Sequence, residues 1–227
     1  MKTIRPFGPT IAFSNLPENV LNGLRKVTNE ILNNEDRKSY GQKLAGVIKE
    51  EPVMVEDDFI KSGAKDFIEK SLNNYALEAC REKGFLQEDV ELNTFIRDAW
   101  LVSQSKDEYN PIHNHSGSEI SSVIYLNVPN MKGQRNIKSK IGKEDRDGDI
   151  EFIYSAGSRN RDIFENGNLS ITPVNGLMII FPSFLYHGVY PFIGAGERRS
   201  IALNASYRLF KLIGEGKKAF LSGNMGF

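Results

Sequence analysis

Asn110-Pro111-Ile112-His113-Asn114-His115 and, later in the chain, Phe181-Pro182-Ser183-Phe184-Leu185-Tyr186-His187 together hold all 3 histidines of the protein. A strand turns successive side chains to opposite faces, so His113 and His115 on one strand share a face. His187, from a distant strand, then closes a set of three imidazoles, the commonest nitrogen ligands for iron, zinc and copper. The Phe181-Pro182-Ser183 turn ends an apolar strand and releases the chain so that His187 starts the next one pointing inward. The pattern predicts a metal centre.

Around these segments the chain reads as short strands punctuated by turn residues: 94–103, 112–115, 121–127, 149–155, 169–173, 176–181, 187–191 and 199–207. Two amphipathic helices precede them. Val20, Leu24, Val27 and Ile31 recur at helical spacing after Pro17, and Ala64, Phe67, Ile68, Leu72, Tyr75, Ala76 and Ala79 repeat it, with Gly84 placed as a C-terminal cap. The stretch 45–56, which contains Pro52, reads as extended, with an edge strand. Helices first and strands after predict an α+β, mostly β fold: a double-stranded β-helix, or cupin-like jelly roll, buttressed by the N-terminal helices. A single domain over 1–227 is expected, with a helical part at 1–92, a jelly-roll core at 93–210 and a tail at 211–227. The polar region Asn130–Asn168 reads either as a lid over the site or as a solvated loop.

Composition narrows the partners. The 227 residues carry 29 Lys plus Arg against 29 Asp plus Glu, so no net field draws in a nucleic-acid backbone or an anionic membrane. A small-molecule or peptidyl substrate fits better, and self-association stays open. Cys80, the only cysteine, reads as a small helix hydrophobe; no intrachain disulfide can form, which favours a reducing, cytoplasmic setting. Met1–Thr10 has Pro6 and Pro9 and no apolar run, and the longest apolar run elsewhere, Leu177–Phe181, is too short to span a bilayer. A soluble chain without a cleaved signal is expected.

Arg198 opens the last strong strand. Ser200, Ala202 and Asn204 share its face and are small or polar, whereas Ile201, Leu203 and Ala205 on the other face are apolar. A barrel strand that borders a ligand cavity needs this division, with the apolar face turned to the helices. Arg198 and Ser200 then grip a carboxylate through a guanidinium fork and a hydroxyl. Tyr125 is either a further donor to that anion or a core residue.

The segments 110–115, 121–127, 181–187 and 198–204 resemble those of the iron(II)- and 2-oxoglutarate-dependent oxygenases, in particular the oxygenases of marine bacteriophages and, more distantly, the prolyl hydroxylases. The resemblance implies Fe(II) and 2-oxoglutarate as cofactors and hydroxylation of a C–H bond as the reaction. It makes His113 and His187 metal ligands, gives the distal carboxylate of 2-oxoglutarate to Arg198 and Ser200, and assigns Tyr125 an assisting role. His115 departs from the family, which has a carboxylate at that position. Three readings of the departure follow: a working three-histidine iron site, a carboxylate supplied by Glu119, or a zinc site. The rival functions are a three-histidine metal dioxygenase or zinc hydrolase without 2-oxoglutarate, and a non-catalytic cupin-like binding module.

Overall fold

The computed structural model describes residues 8–84, 89–131, 146–154, 167–213 and 218–220. In chain order the elements are β1 (Ala12–Asn15), α1 (Glu18–Asn33), β2 (Val53–Met54), α2 (Glu56–Lys61), α3 (Lys65–Lys83), β3 (Val90–Gln104), β4 (Asn110–His113), β5 (Ile120–Asn127), β6 (Ile150–Ile153), β7 (Asn168–Ile171), β8 (Leu177–Pro182), β9 (Tyr186–Val189), β10 (Arg198–Leu212) and β11 (Lys218–Phe220). The larger sheet runs β1-β8-β5-β10-β3-β2, with β11 added to β10, and the smaller runs β4-β9-β6-β7. All the pairings are antiparallel. This is the jelly roll expected from the strand pattern.

Alternation on the large sheet creates two apolar layers. Ile124 and Leu126 of β5, Met178 and Ile180 of β8, and Ile201, Leu203 and Ala205 of β10 are buried against Leu24 of α1 and Ile68 and Leu72 of α3. The intervening residues face the small sheet, where Tyr125, Ile179 and Phe181 pack with Ile150 and Phe152. Full burial of a Leu or Ile contributes roughly 1.5–3 kcal/mol each, so the helical layer fixes which face of β10 turns inward.

Several local readings are corrected. The first histidine strand is Asn110–His113, so His115 lies just beyond it rather than on it. The stretch 45–56 does supply the expected edge strand, β2 paired with β3, together with bridges from Glu50 to Ser103 and from Pro52 to Ser39. β1 and α2 had no strong periodicity to reveal them. β10 runs well past Tyr207, where its outer half pairs with β11. Cys80 sits at the rim of the helical core, half-buried, and burial pushes its thiol pKa up. Gly84 caps α3 as expected, at φ 73° in the left-handed region, with its N–H donating to the carbonyls of Arg81 and Cys80. Of the region Asn130–Asn168, residues 132–145 and 155–166 lie outside the described residues.

Gly23 shows how closely α1 meets the neighbouring α2. A Cβ added there would stand 2.0 Å from the Ser62 carbonyl oxygen, a backbone atom that cannot rotate away. Gly23→Ala gains about 1 kcal/mol of helix propensity but forces the helices apart, and overpacking of this kind costs about 1–3 kcal/mol. A net lowering of the urea midpoint is expected, and an unchanged or raised midpoint would show that this contact yields freely.

Candidate metal centre and anion pocket

The three histidines come together from β4, the segment after it, and β9. His113 and His187 stand directly opposite in the β4–β9 pairing, which places their ring centroids 4.4 Å apart. His115 follows two residues after His113 in extended chain, its backbone N–H bonded to the Ser183 carbonyl, and its ring lies 5.2 Å from His113 and 5.1 Å from His187. One nitrogen from each ring falls within 4.8 Å of the others. Two metal–nitrogen bonds of about 2.1 Å meeting at the roughly 90–110° of a facial or tetrahedral site span about 3.0–3.4 Å, so loading would draw the rings closer together.

The tautomers of two rings are fixed by the backbone. His113 Nδ1 lies 2.7 Å from the Pro111 carbonyl oxygen and His187 Nδ1 lies 3.0 Å from that of Leu185. A carbonyl only accepts, so both Nδ1 atoms carry the proton and both Nε2 atoms keep a free lone pair. Burial, with His113 beside it, pushes His115 down to about 4. The same two causes, burial first, push His187 down to about 3. Both rings are therefore neutral at pH 7, the state in which imidazole ligates.

Arg198 borders the same cavity and is almost wholly buried, at 2% exposure. Its Nη1 donates to Gln104 Oε1 at 2.6 Å, and its Nη2 donates to the Tyr125 hydroxyl at 3.2 Å. Its guanidinium also stacks over the Tyr125 ring, 4.9 Å from the centroid. Nε has no protein acceptor among the described residues. Ser200 and Ala202 line the cavity beside Arg198, as the alternation on β10 requires. Tyr125 is fully buried behind the arginine and is not one of the wall residues, so its hydroxyl holds the guanidinium from the rear.

Three further features had not been singled out. Gln104 lies opposite Arg198 in the β3–β10 register. Its orientation is set by its own amide, which donates to the Glu108 carbonyl. Trp100, the sole tryptophan, stacks on His115 at 5.8 Å on one side and on Tyr40 at 4.8 Å on the other. Leu44, Ala45 and Ile48, from the loop between α1 and β2, form part of the wall. The region Asn130–Asn168, read as a lid or as a solvated loop, contributes Ile150 to the wall among its described residues. Glu119 is exposed on the chain leading into β5 and is not part of the converging donor set. No carboxylate joins the three imidazoles among the described residues.

The donor set fits a borderline metal ion such as iron(II) or zinc(II), and the orphaned Arg198 Nε fits a bound carboxylate. No helix among the described residues is long and apolar enough to cross a membrane. The sequence matches no curated protein. Solved structures share the fold at low identity. A Trichoplax adhaerens prolyl hydroxylase, solved with a hypoxia-inducible-factor peptide fragment, is 13% identical with a TM-score of 0.56, over 86% of this chain and 83% of that one. A viral collagen prolyl hydroxylase from Paramecium Bursaria Chlorella virus-1, in complex with 2-oxoglutarate, is 10% identical with a TM-score of 0.51, over 86% and 94%. The non-heme alpha-ketoglutarate-dependent carbocyclase SnoK of nogalamycin biosynthesis is 10% identical with a TM-score of 0.54, over 90% and 83%. Residues 98–204, which hold the three histidines, Arg198 and Ser200, match the family model described as "Putative 2OG-Fe(II) oxygenase". The match spans just under half of the 227 residues and makes that stretch similar to the 2OG-Fe(II) oxygenases.

Proposed function

We propose that the protein is an iron(II)- and 2-oxoglutarate-dependent oxygenase that holds its metal through His113, His115 and His187. Arg198 and Ser200 take the distal carboxylate of 2-oxoglutarate. The observation that carries the reading is the meeting, in one cavity, of three imidazoles and a buried guanidinium whose Nε lacks an acceptor among the described residues. When bound, iron and 2-oxoglutarate supply the oxidising chemistry that hydroxylates a C–H bond. The chain's residues do the rest. Pro111 and Leu185 keep the Nε2 atoms of His113 and His187 turned to the metal, and Gln104 and Tyr125 keep the Arg198 fork aimed at the anion. Trp100, Ile48 and Leu44 exclude water from one side.

Apart from Arg198, no formally charged side chain lines the described cavity, so the reacting part of the substrate is an uncharged, largely apolar group, on a small molecule or on a peptide. A three-histidine dioxygenase or zinc hydrolase is favoured by one feature, the missing carboxylate, and opposed by Arg198.

Anaerobic iron(II) titration of His113→Ala and His187→Ala is expected to show affinity reduced by orders of magnitude, because two remaining ligands do not define a closed site. Wild-type affinity in either variant would remove that histidine from the ligand set. His115→Asp should retain iron and any 2-oxoglutarate turnover.

Calorimetry with 2-oxoglutarate on metal-loaded protein should rank the anion-binding residues. Arg198→Ala leaves a buried carboxylate unpaired, a loss of about 3–5 kcal/mol, while Ser200→Ala loses one charge-assisted hydrogen bond, about 1.5–3 kcal/mol. Gln104→Ala should fall below Arg198→Ala, since it loosens the fork without removing it. No binding by wild type would turn the reading to the 2-oxoglutarate-free rivals, and binding without succinate release would turn it to a binding module.

The depressed histidines also set a pH dependence of the metal-free fold. Above about 6.5 both states hold neutral rings, and as pH falls toward the folded values near 4 and 3 only the unfolded chain takes up the protons. Stability present above pH 6.5 is thus lost through that window. Thermal melts in chelator should therefore show wild type losing more stability than His187→Gln between pH 7 and pH 5, and parallel losses would contradict the depressed value.

A further inference from the structure

Two of the three imidazoles are fixed by the backbone, through the carbonyls of Pro111 and Leu185. His115 lies beyond the end of β4. Rotation about the last bond of a histidine side chain is only loosely restricted, so the plane of this ring is set by what covers its faces. Two rings lie nearly parallel to it. Trp100 stacks at 5.8 Å between centroids with the planes 21° apart, and His187 at 5.1 Å and 16°. Tyr40 continues the series on Trp100, at 4.8 Å and 11°. Phe181 closes it at the other end, edge-on to His187 at 4.8 Å.

The indole itself is held firmly. Trp100 is buried on β3, with β10 paired on one side and β2 on the other, where it stands opposite Ala202 and Val53. Ala202 lines the cavity beside it, and so small a residue leaves the bulky ring its space. Tyr40 is tied down by its N–H, which donates to the Glu51 carbonyl at 2.7 Å, and by the neighbouring bridge from Ser39 to Pro52. The Lys43 ammonium lies 5.0 Å from the centroid of its ring. From Tyr40 a single 3-10 turn, Gly41–Lys43, carries the chain to Leu44 and Ala45 in the cavity wall. The loop that walls the cavity therefore also packs against the indole that faces His115.

We propose that Trp100 is the positioning residue of His115: its indole braces the third imidazole parallel to that of His187, and Tyr40 ties the brace to the loop that walls the cavity. Trp100 thereby does with a ring face what Pro111 and Leu185 do with carbonyls. Aromatic pairs favour such offset stacking, and the buried position of the indole turns that preference into a fixed plane. The consequence for metal affinity rests on the metal reading above, whereas the ring geometry of the metal-free protein does not.

Proton NMR of the metal-free protein reads the ring geometry, and cobalt(II) titration against a competing chelator reads the affinity, with the cobalt visible bands reporting the ligand set. In wild type the His115 ring protons should be shifted upfield by the indole and show a nuclear Overhauser contact with the His187 ring. Trp100→Leu should lose that contact, with cobalt affinity lower by roughly 10–100-fold and altered visible bands. Trp100→Phe keeps a flat ring and should retain most of both, which separates positioning from a folding defect, and Tyr40→Leu should fall between. In a His115→Asp background no ring is left to brace, so adding Trp100→Leu should change cobalt affinity by no more than about 2-fold. An undiminished His115–His187 contact in Trp100→Leu, a Trp100→Phe protein no better than Trp100→Leu, or the full loss of affinity persisting in the His115→Asp background would overturn the assignment. If wild type binds no cobalt while Trp100→Leu still abolishes the ring contact, the metal reading falls and the brace stands.

Discussion

The structure depends on the register of β10, which is paired with β3 on one side and β5 on the other. Both neighbours are fixed in turn by the helices, through Ile124, Leu126 and Leu101. A slip of one residue would exchange the faces of the whole strand. Arg198 and Ser200 would turn into the helical layer, and Ile201, Leu203 and Ala205 would enter the polar cavity. The apolar face alone sets a penalty of several kcal/mol on that exchange. The same register puts Gln104 opposite Arg198 and Ser121 opposite Asn204, so the two polar clusters of the site follow from one ladder.

Arg198 is buried among neutral partners, and that choice matters more than the burial. A carboxylate facing the guanidinium would satisfy it and leave nothing for a ligand, since a buried pair of this kind is already compensated. Gln104 and Tyr125 instead fill two N–H positions without cancelling the charge, and burial keeps the Tyr125 phenol protonated. Positive charge left uncompensated in a cavity costs stability, and an anion that completes the site recovers it.

Much of this was legible in the residues. The eight strands named from turn punctuation and alternation all exist, because a two-sided core imposes period-two patterning on every strand that crosses it. The inward face of β10 could be read directly, since four alternating small or polar residues cannot pack against a helix. What escaped notice has a common cause. Gln104 and Trp100 act through partners distant in sequence, on β10 and in the loop before β2, and no local pattern encodes a cross-strand register. β1 is too short for a period to declare itself, and its place is set by pairing with β8. Asn204 was visible as an inward residue, but its link to the Ser121 and Ser183 hydroxyls appears only when β5, β10 and the turn after β8 are brought together.

With His115 as the proposed third ligand, the electrostatics of the pocket change as a whole. With a carboxylate in place of His115, a divalent ion and Arg198 would leave two positive charges, which dianionic 2-oxoglutarate could cancel. With His115, pushed neutral by burial, the same ion and Arg198 leave three. In a site shielded from water the excess attracts a further anion or raises the acidity of whatever binds the ion.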